Sequence, residues 1–175
     1  RTYFSRSLSC SVIGCKGYSL SMNLEWLKKA ITIQTNLFGE KHNELARSYI
    51  YLGRYYEIRG KYEKALEYQE KAVTMLEELP DARPDYKIKA YYNIGYTYQG
   101  NKQYQKAVEA HQKMVDIAET FFIENHPRLP ILYQATSISY ALCEKIDTAF
   151  KYCKKSTFIA EKVLPKETFL HSVVE

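Results

Sequence analysis

Histidine and cysteine are the side chains that most readily hold metals or act as bases and nucleophiles. The sequence has four of each: His42, His111, His126 and His171, with Cys10, Cys15, Cys143 and Cys153. Their spacing argues against chemistry. No cysteine pair forms C-x-x-C, and no histidine stands at ligand spacing from a cysteine, so no metal centre is expected. Cys143 and Cys153 lack a histidine partner in sequence and are expected to be buried, inert thiols. G-x-G-x-x-G, P-loop, G-x-S-x-G and H-E-x-x-H are all absent, so no catalytic residues, no cofactor and no enzyme are expected here. His42 and His126 read as structural loop residues, and His111 as a packing residue.

Charge excludes other classes. The formal net charge is +5, and charged residues make up 26% of the chain. The two signs interleave (Glu63-Lys64, Glu70-Lys71, Glu144-Lys145), as on a solvated helical surface, with no basic run of the kind nucleic acid needs. No apolar stretch approaches the ~20 residues that cross a bilayer. Four cysteines without a disulfide framework suggest reduced thiols and a cytoplasmic location. Residues 1–24 contain no Asp or Glu, three basic residues (Arg1, Arg6, Lys16) and several serines. That composition suits a mitochondrial transit peptide or the ragged end of a preceding domain, and we read it as the second. Beginning at Arg1, the chain is expected to be a segment of a longer protein.

Whatever these residues do depends on what positions them, and here the spacing is informative. Tyr49-Ile50-Tyr51-Leu52-Gly53 and Tyr91-Tyr92-Asn93-Ile94-Gly95 lie 95 − 53 = 42 residues apart. The same step joins Tyr56 to Tyr98, Tyr62 to Tyr104, Ala65 to Ala107 and Lys71 to Lys113. A further step reaches Tyr133, Ser137, Tyr140, Ala149 and Lys155. A fixed period of this size is the mark of a repeat architecture.

Within each unit, bulky residues at i, i+3 and i+7 (Tyr49, Leu52, Tyr56; Tyr91, Ile94, Tyr98) form one helical face. A short break follows, then a second helix with Ala65, Ala107 or Ala149 facing back. Glycine inside a helix costs ~1 kcal/mol against alanine, so Gly53 and Gly95 need a packing reason, read as a close crossing against that alanine. The helices predicted are 21–37, 43–59, 61–78, 85–100, 102–123, 128–143 and 146–163, with Asn43 as an N-cap and Pro84 and Pro127 near helix starts. The eight tyrosines at 49, 56, 62, 91, 98, 104, 133 and 140 are assigned to packing.

This grammar resembles the tetratricopeptide repeat: aromatic, Leu-Gly, aromatic, then Ala, met by Tyr49/Leu52-Gly53/Tyr56/Ala65 and Tyr91/Ile94-Gly95/Tyr98/Ala107. The third unit, Tyr133/Thr136-Ser137/Tyr140/Ala149, is degenerate. The family's usual period is about 34; the longer one here is similar to kinesin light chains and nephrocystin-3-like proteins. Leu37-Phe38-Gly39-Glu40-Lys41-His42 resembles that subgroup's Leu-Gly-x-x-His-Pro loop, and Asn125-His126-Pro127 repeats its end.

The resemblance implies an all-α, right-handed superhelical solenoid of three to four helical hairpins. Residues 1–20 would be irregular. The array would span 21–165: a lone helix at 21–37, then units at about 43–84, 85–126 and 127–165. Residues 166–175 would be a tail or the start of a further unit. The resemblance further implies a concave groove lined by first helices that binds a protein or peptide. Carried over position by position, the groove residues are Arg47, Ile50, Tyr51, Arg54 and Glu57; Lys89, Tyr92, Asn93, Tyr96 and Gln99; and Ile131, Gln134, Ala135 and Ile138. Asn93 or Gln134 would hold a peptide backbone by paired hydrogen bonds. Arg47, Lys89 and Asn93 match the carboxylate-clamp pattern in type, but Ile50, Ala135 and Ile131 break it, so a C-terminal carboxylate is not the expected ligand. The expectation is an adaptor that binds an acidic peptide or partner helix with an aromatic or aliphatic anchor, without nucleic acid or membrane insertion. The alternatives are a structural spacer, with self-association left open, or a regulatory domain of a larger, enzymatic protein.

Overall fold

The computed structural model describes residues 24–163. The expectations for residues 1–20 and 166–175, with Cys10, Cys15 and His171, lie outside them. The described residues form seven α-helices: α1 (Leu24–Phe38), α2 (Asn43–Ile58), α3 (Tyr62–Glu78), α4 (Pro84–Gly100), α5 (Tyr104–Phe121), α6 (Leu129–Leu142) and α7 (Ile146–Val163). They pack as three antiparallel hairpins, α2–α3, α4–α5 and α6–α7, with α1 against α2. First helices also touch in series, α2 on α4 and α4 on α6. The architecture is an all-α solenoid.

The hairpin turns repeat as the sequence does. Gly60, Lys102 and Glu144 occupy one register position, and all three are left-handed, with φ of 71°, 60° and 60°. Each turn is closed by the backbone N–H of the next residue, which reaches a tyrosine carbonyl: Lys61 to Tyr56 at 3.0 Å, Gln103 to Tyr98 at 2.8 Å and Lys145 to Tyr140 at 3.0 Å.

The helix starts differ from expectation at α2. His42, not Asn43, is the N-cap, its Nδ1 accepting the Glu44 N–H at 3.1 Å. Asn43 instead ties down the α3–α4 loop, donating to the Asp81 carbonyl at 3.2 Å and accepting the Arg83 N–H at 3.0 Å. His126 repeats the bond though not the cap, accepting the Arg128 N–H at 3.2 Å in the turn before α6. Both imidazoles stack on the preceding phenylalanine, Phe38 at 4.4 Å and Phe122 at 3.9 Å between ring centroids. These two histidines are structural, as their shared loop position suggests.

The core runs along the stack in two clusters. One gathers Leu45, Ala46, Ile50, Ala72 and Leu76 with Ala90; the other gathers Ile88, Ile94, Met114, Val115, Leu132 and Ile159. Tyr91 and Tyr133 are buried within the second cluster, while Tyr49, Tyr56, Tyr62, Tyr98, Tyr104 and Tyr140 are only half-buried. The half-buried rings seal hairpin edges by stacking. Tyr68 lies beside Tyr49 and Tyr56 at 6.2 and 5.6 Å, and Tyr152 beside Tyr133 and Tyr140 at 6.0 and 5.6 Å. Their hydroxyls reach polar acceptors on the preceding hairpin: Tyr98 to Glu70 at 3.0 Å, Tyr133 to Glu119 at 2.7 Å and Tyr140 to Gln112 at 3.1 Å. A tyrosine suits this place because its ring packs while its O–H stays paired.

The thiols depart from expectation. Cys153 is exposed and Cys143 is half-buried, and both are free. Among the described residues no helix is long and apolar enough to cross a membrane.

Candidate functional site

The residues assigned to a groove fall on the wall formed by α2, α4 and α6, and there the structure sorts them. On α2, Arg47, Tyr51 and Arg54 follow one another at i, i+4 and i+7 and stay partly exposed. Each reaches across to α4. Arg47 donates to the Tyr86 hydroxyl at 3.3 Å while pairing with Glu44 at 2.6 Å. Lys89 donates to the Tyr51 hydroxyl at 2.7 Å, its ammonium 4.2 Å from that ring's centroid. Arg54 donates to Asn93 Oδ1 at 3.1 Å.

Three of the assigned residues do not face the wall. Ile50 and Ala135 have no exposed surface, and Asn93 has 2%. Ile50 and Ala135 lie between the wall stripe and the second helices, where they pack in the core clusters. The Asn93 amide is already engaged, accepting from Arg54 and donating to the Lys89 carbonyl at 2.9 Å, so it does not offer a peptide paired bonds. Gln99 is engaged as well, donating to Ser139 Oγ at 2.7 Å. Gln134, Ile131 and Ile138 are exposed on α6. Tyr92 and Tyr96 are half-buried on α4, their rings edge to face at 4.9 Å. Burial, the Tyr92 hydroxyl and the nearby Glu57 charge push the Tyr96 phenol above its usual range, so it is a neutral hydrogen-bonding group.

Behind the wall lies a network the spacing did not reveal. His111 on α5 is fully buried. Its Nδ1 lies 2.6 Å from Ser139 Oγ and its Nε2 lies 3.2 Å from the Tyr92 carbonyl. A carbonyl only accepts, so Nε2 carries the proton and Nδ1 accepts from the Ser139 hydroxyl, which accepts from Gln99 in turn. Burial holds the imidazole down at about 4, against the smaller upward pull of the Tyr92 and Ala135 backbones, so it is neutral near pH 7. His111 also explains Gly95: a Cβ there would overlap the ring. At Gly53 the obstruction is the Gln69 side chain, with the Ala65 carbonyl oxygen 3.1 Å away. The glycines thus sit at equivalent crossings, facing equivalent residues, Gln69 and His111. At Gly53 the alanine contact expected from the sequence is present.

A cleft of about 610 Å³ lies off the wall among α1, α2 and α3, lined by residues such as Thr35, Leu45, Tyr49 and Met75. Its cations Lys41 and Lys71 are paired with Glu78 and Glu67 at 2.7 and 2.9 Å. Among the described residues no three His, Cys, Asp or Glu side chains converge as a metal site.

Comparison with known proteins agrees with this geometry. The tetratricopeptide repeat pattern matches residues 24–78 and again residues 88–121. No curated protein matches the chain in sequence. Among solved structures, the chain is similar to the nearly identical TPR-like repeats of a Podosopora anserina kinesin light chain, at 22% identity and a TM-score of 0.64. That likeness covers 81% of this chain and 68% of the other. RapI in its apo form aligns at 14% identity and a TM-score of 0.71, over 85% of this chain and 53% of its own. Bacillus thuringiensis PlcR, in complex with the peptide PapR7 and DNA, aligns at 18% identity and a TM-score of 0.68, over 90% and 54%. The chain thus spans little more than half the length of the last two.

Proposed function

The chain belongs to the tetratricopeptide repeat family, and from that premise we propose that the α2–α4–α6 wall is the binding surface of a protein-interaction scaffold. Its ligand is an extended acidic peptide, or a partner helix, carrying an aliphatic or aromatic anchor, and the role is that of an adaptor of the kinesin-light-chain kind. One observation carries the reading: the wall changes character along the stack. Arg47 and Arg54 on α2 correspond in the repeat to Lys89 and Tyr96 on α4, and these to Ile131 and Ile138 on α6. Cations and phenols line one end, and exposed aliphatic side chains, 36% and 41% accessible, line the other. Lys89 is bonded to a neutral phenol, so its charge remains available to a carboxylate. Acidic ligand residues would lie over α2 and α4, and the anchor over α6. That a neighbouring fold, PlcR, is found with a peptide supports the class of ligand.

The test is fluorescence anisotropy with a labelled peptide of glutamates around one central leucine, against a lysine counterpart, at low and high salt. Binding of the acidic peptide alone, weakened by salt and lost in an Arg54→Glu/Lys89→Glu double variant, is the expected result. Equal binding of both peptides, or of neither, removes the proposal, and the second outcome favours a spacer.

A further inference from the structure

The stack has two internal joints, and repeat register allows them to be compared atom for atom. At the second, between the α4–α5 hairpin and α6, the buried His111 and Ser139 and the half-buried Gln99 form a closed chain. Gln99 donates to Ser139 at 2.7 Å, Ser139 meets His111 at 2.6 Å, and His111 donates to the Tyr92 carbonyl at 3.2 Å. One step of 42 back, at the joint between the α2–α3 hairpin and α4, the same positions hold Glu57, Thr97 and Gln69. That chain is not closed.

The chemistry says why. Glu57 is a carboxylate and has no N–H to donate to the Thr97 hydroxyl, as Gln99 does to Ser139. Thr97 turns back to its own helix, donating to the Asn93 carbonyl at 3.1 Å. Gln69, 1% exposed, is left with both Nε2 and Oε1 unpaired, and Glu57 Oε2 is buried and unpaired as well. Burial raises the Glu57 carboxyl above its usual range against the opposing pull of Arg54, which fits an unfavourable setting. Unpaired buried polar groups destabilise a native arrangement far more than absent ones.

What bridges the first helices of this joint lies instead on the wall. The bonds from Arg47 to Tyr86, Lys89 to Tyr51 and Arg54 to Asn93 all run between α2 and α4. At the second joint Arg54, Lys89 and Asn93 pass to the uncharged Tyr96, Ile131 and Ala135, and the pair Arg47 and Tyr86 passes to two cations, Lys89 and Arg128, which do not bridge. The two joints therefore differ in kind: one is locked by a neutral interior network, the other is bridged by surface cations around an unsatisfied interior.

We infer that the joint between the α2–α3 and α4–α5 hairpins is the yielding joint of the stack, and that a peptide bound on the wall fixes it. The joint to α6 stays set whether or not ligand is present. Carboxylates of the ligand reach Arg54 on α2 and Lys89 on α4 together, tying the two helices where their interior does not. The ligand half of the inference rests on the proposed function; the difference between the joints does not.

Amide hydrogen exchange on the whole chain tests both halves. Without peptide, the amides of residues 53–57 should exchange at least about tenfold faster than their equivalents at 95–99; equal or slower exchange overturns the inference. A Glu57→Gln/Gln69→His/Thr97→Ser variant, which copies the second joint into the first, should slow exchange at 53–57 and leave 95–99 unchanged. Should that variant fail to fold, the wild-type comparison still decides. Adding the glutamate–leucine peptide should slow 53–57 alone. If anisotropy shows the peptide bound and both joints respond alike, or neither does, ligand control is wrong. If the peptide does not bind, the wall reading and the ligand half fall together, and the wild-type comparison still judges the joints.

Discussion

His111 stands over Gly95 so closely that a Cβ on the glycine would overlap the imidazole, and its two ring nitrogens pin it there against Ser139 and the Tyr92 carbonyl. The equivalent contact, Gln69 over Gly53, involves a flexible side chain with no hydrogen bond to hold it. Alanine at either site gains ~1 kcal/mol of helix propensity and loses more to overpacking, typically ~1–3 kcal/mol. Gly95→Ala should therefore lower unfolding free energy by up to about 2 kcal/mol and Gly53→Ala by clearly less. Urea titration of both variants gives the order, and a larger loss at Gly53 would contradict the packing described.

The same histidine makes stability depend on pH with a definite sign. Its folded value lies near 4, below the ordinary 6.5, so between those two values the unfolded chain holds the extra proton. This part of the stability is complete above pH 6.5 and is lost as the pH falls toward 4, by up to ~3 kcal/mol. Comparing urea midpoints of wild type and His111→Gln across that window isolates it. The difference between them should shrink as the solution is acidified, because the variant carries no such proton-linked penalty.

Two of the three hairpin turns place a side chain in the left-handed region where the first has Gly60. Lys102 and Glu144 sit at φ 60°. That conformation costs a non-glycine residue ~1–2 kcal/mol, against ~0.5–1 kcal/mol for the entropy glycine loses on folding. Lys102→Gly and Glu144→Gly should each stabilise by about 0.5–1 kcal/mol, and Gly60→Ala should destabilise by a similar amount or more. Thermal melts of the three variants check the signs.

How far the sequence reaches can be judged at such positions. The 42-residue register makes Gly53, Gly95 and Ser137 equivalent before any coordinates exist, and it locates the seven described helices, because helix period and repeat period are both written in apolar spacing. Ile50, Asn93 and Ala135 were legible as first-helix residues but not as buried ones. Their exposure depends on how α4 and α6 lean on their neighbours, and a single-helix stripe does not encode that lean. His111 was legible as a packing residue, whereas its bonds to Ser139 and Tyr92 join residues 28 and 19 positions away in the chain. The exposed Cys153 shows the limit from the other side. It stands in the register of Gln69 and His111, which succeeding first helices cover, and among the described residues no helix follows α7.

Ile138 offers the cleanest separation of binding from folding. It lies on the wall, 41% exposed and outside both core clusters, so a polar replacement removes little buried contact. Surface substitutions of this kind usually stay within about 0.5 kcal/mol, and the melting temperature of Ile138→Asp should hardly move. On the ligand side the change does two things: it removes the aliphatic seat for the anchor, and it sets a carboxylate against an acidic peptide. Together these should weaken the glutamate–leucine peptide by at least about tenfold, with the loss partly recovered at high salt as the repulsion is screened. Asn93→Ala should show the opposite pattern, because its amide joins α2 to α4 behind the surface: a clear loss of stability, with peptide affinity changed only as far as Arg54 is displaced. Measured side by side by melting and anisotropy, a stable Ile138→Asp that binds as well as wild type would remove the anchor from α6.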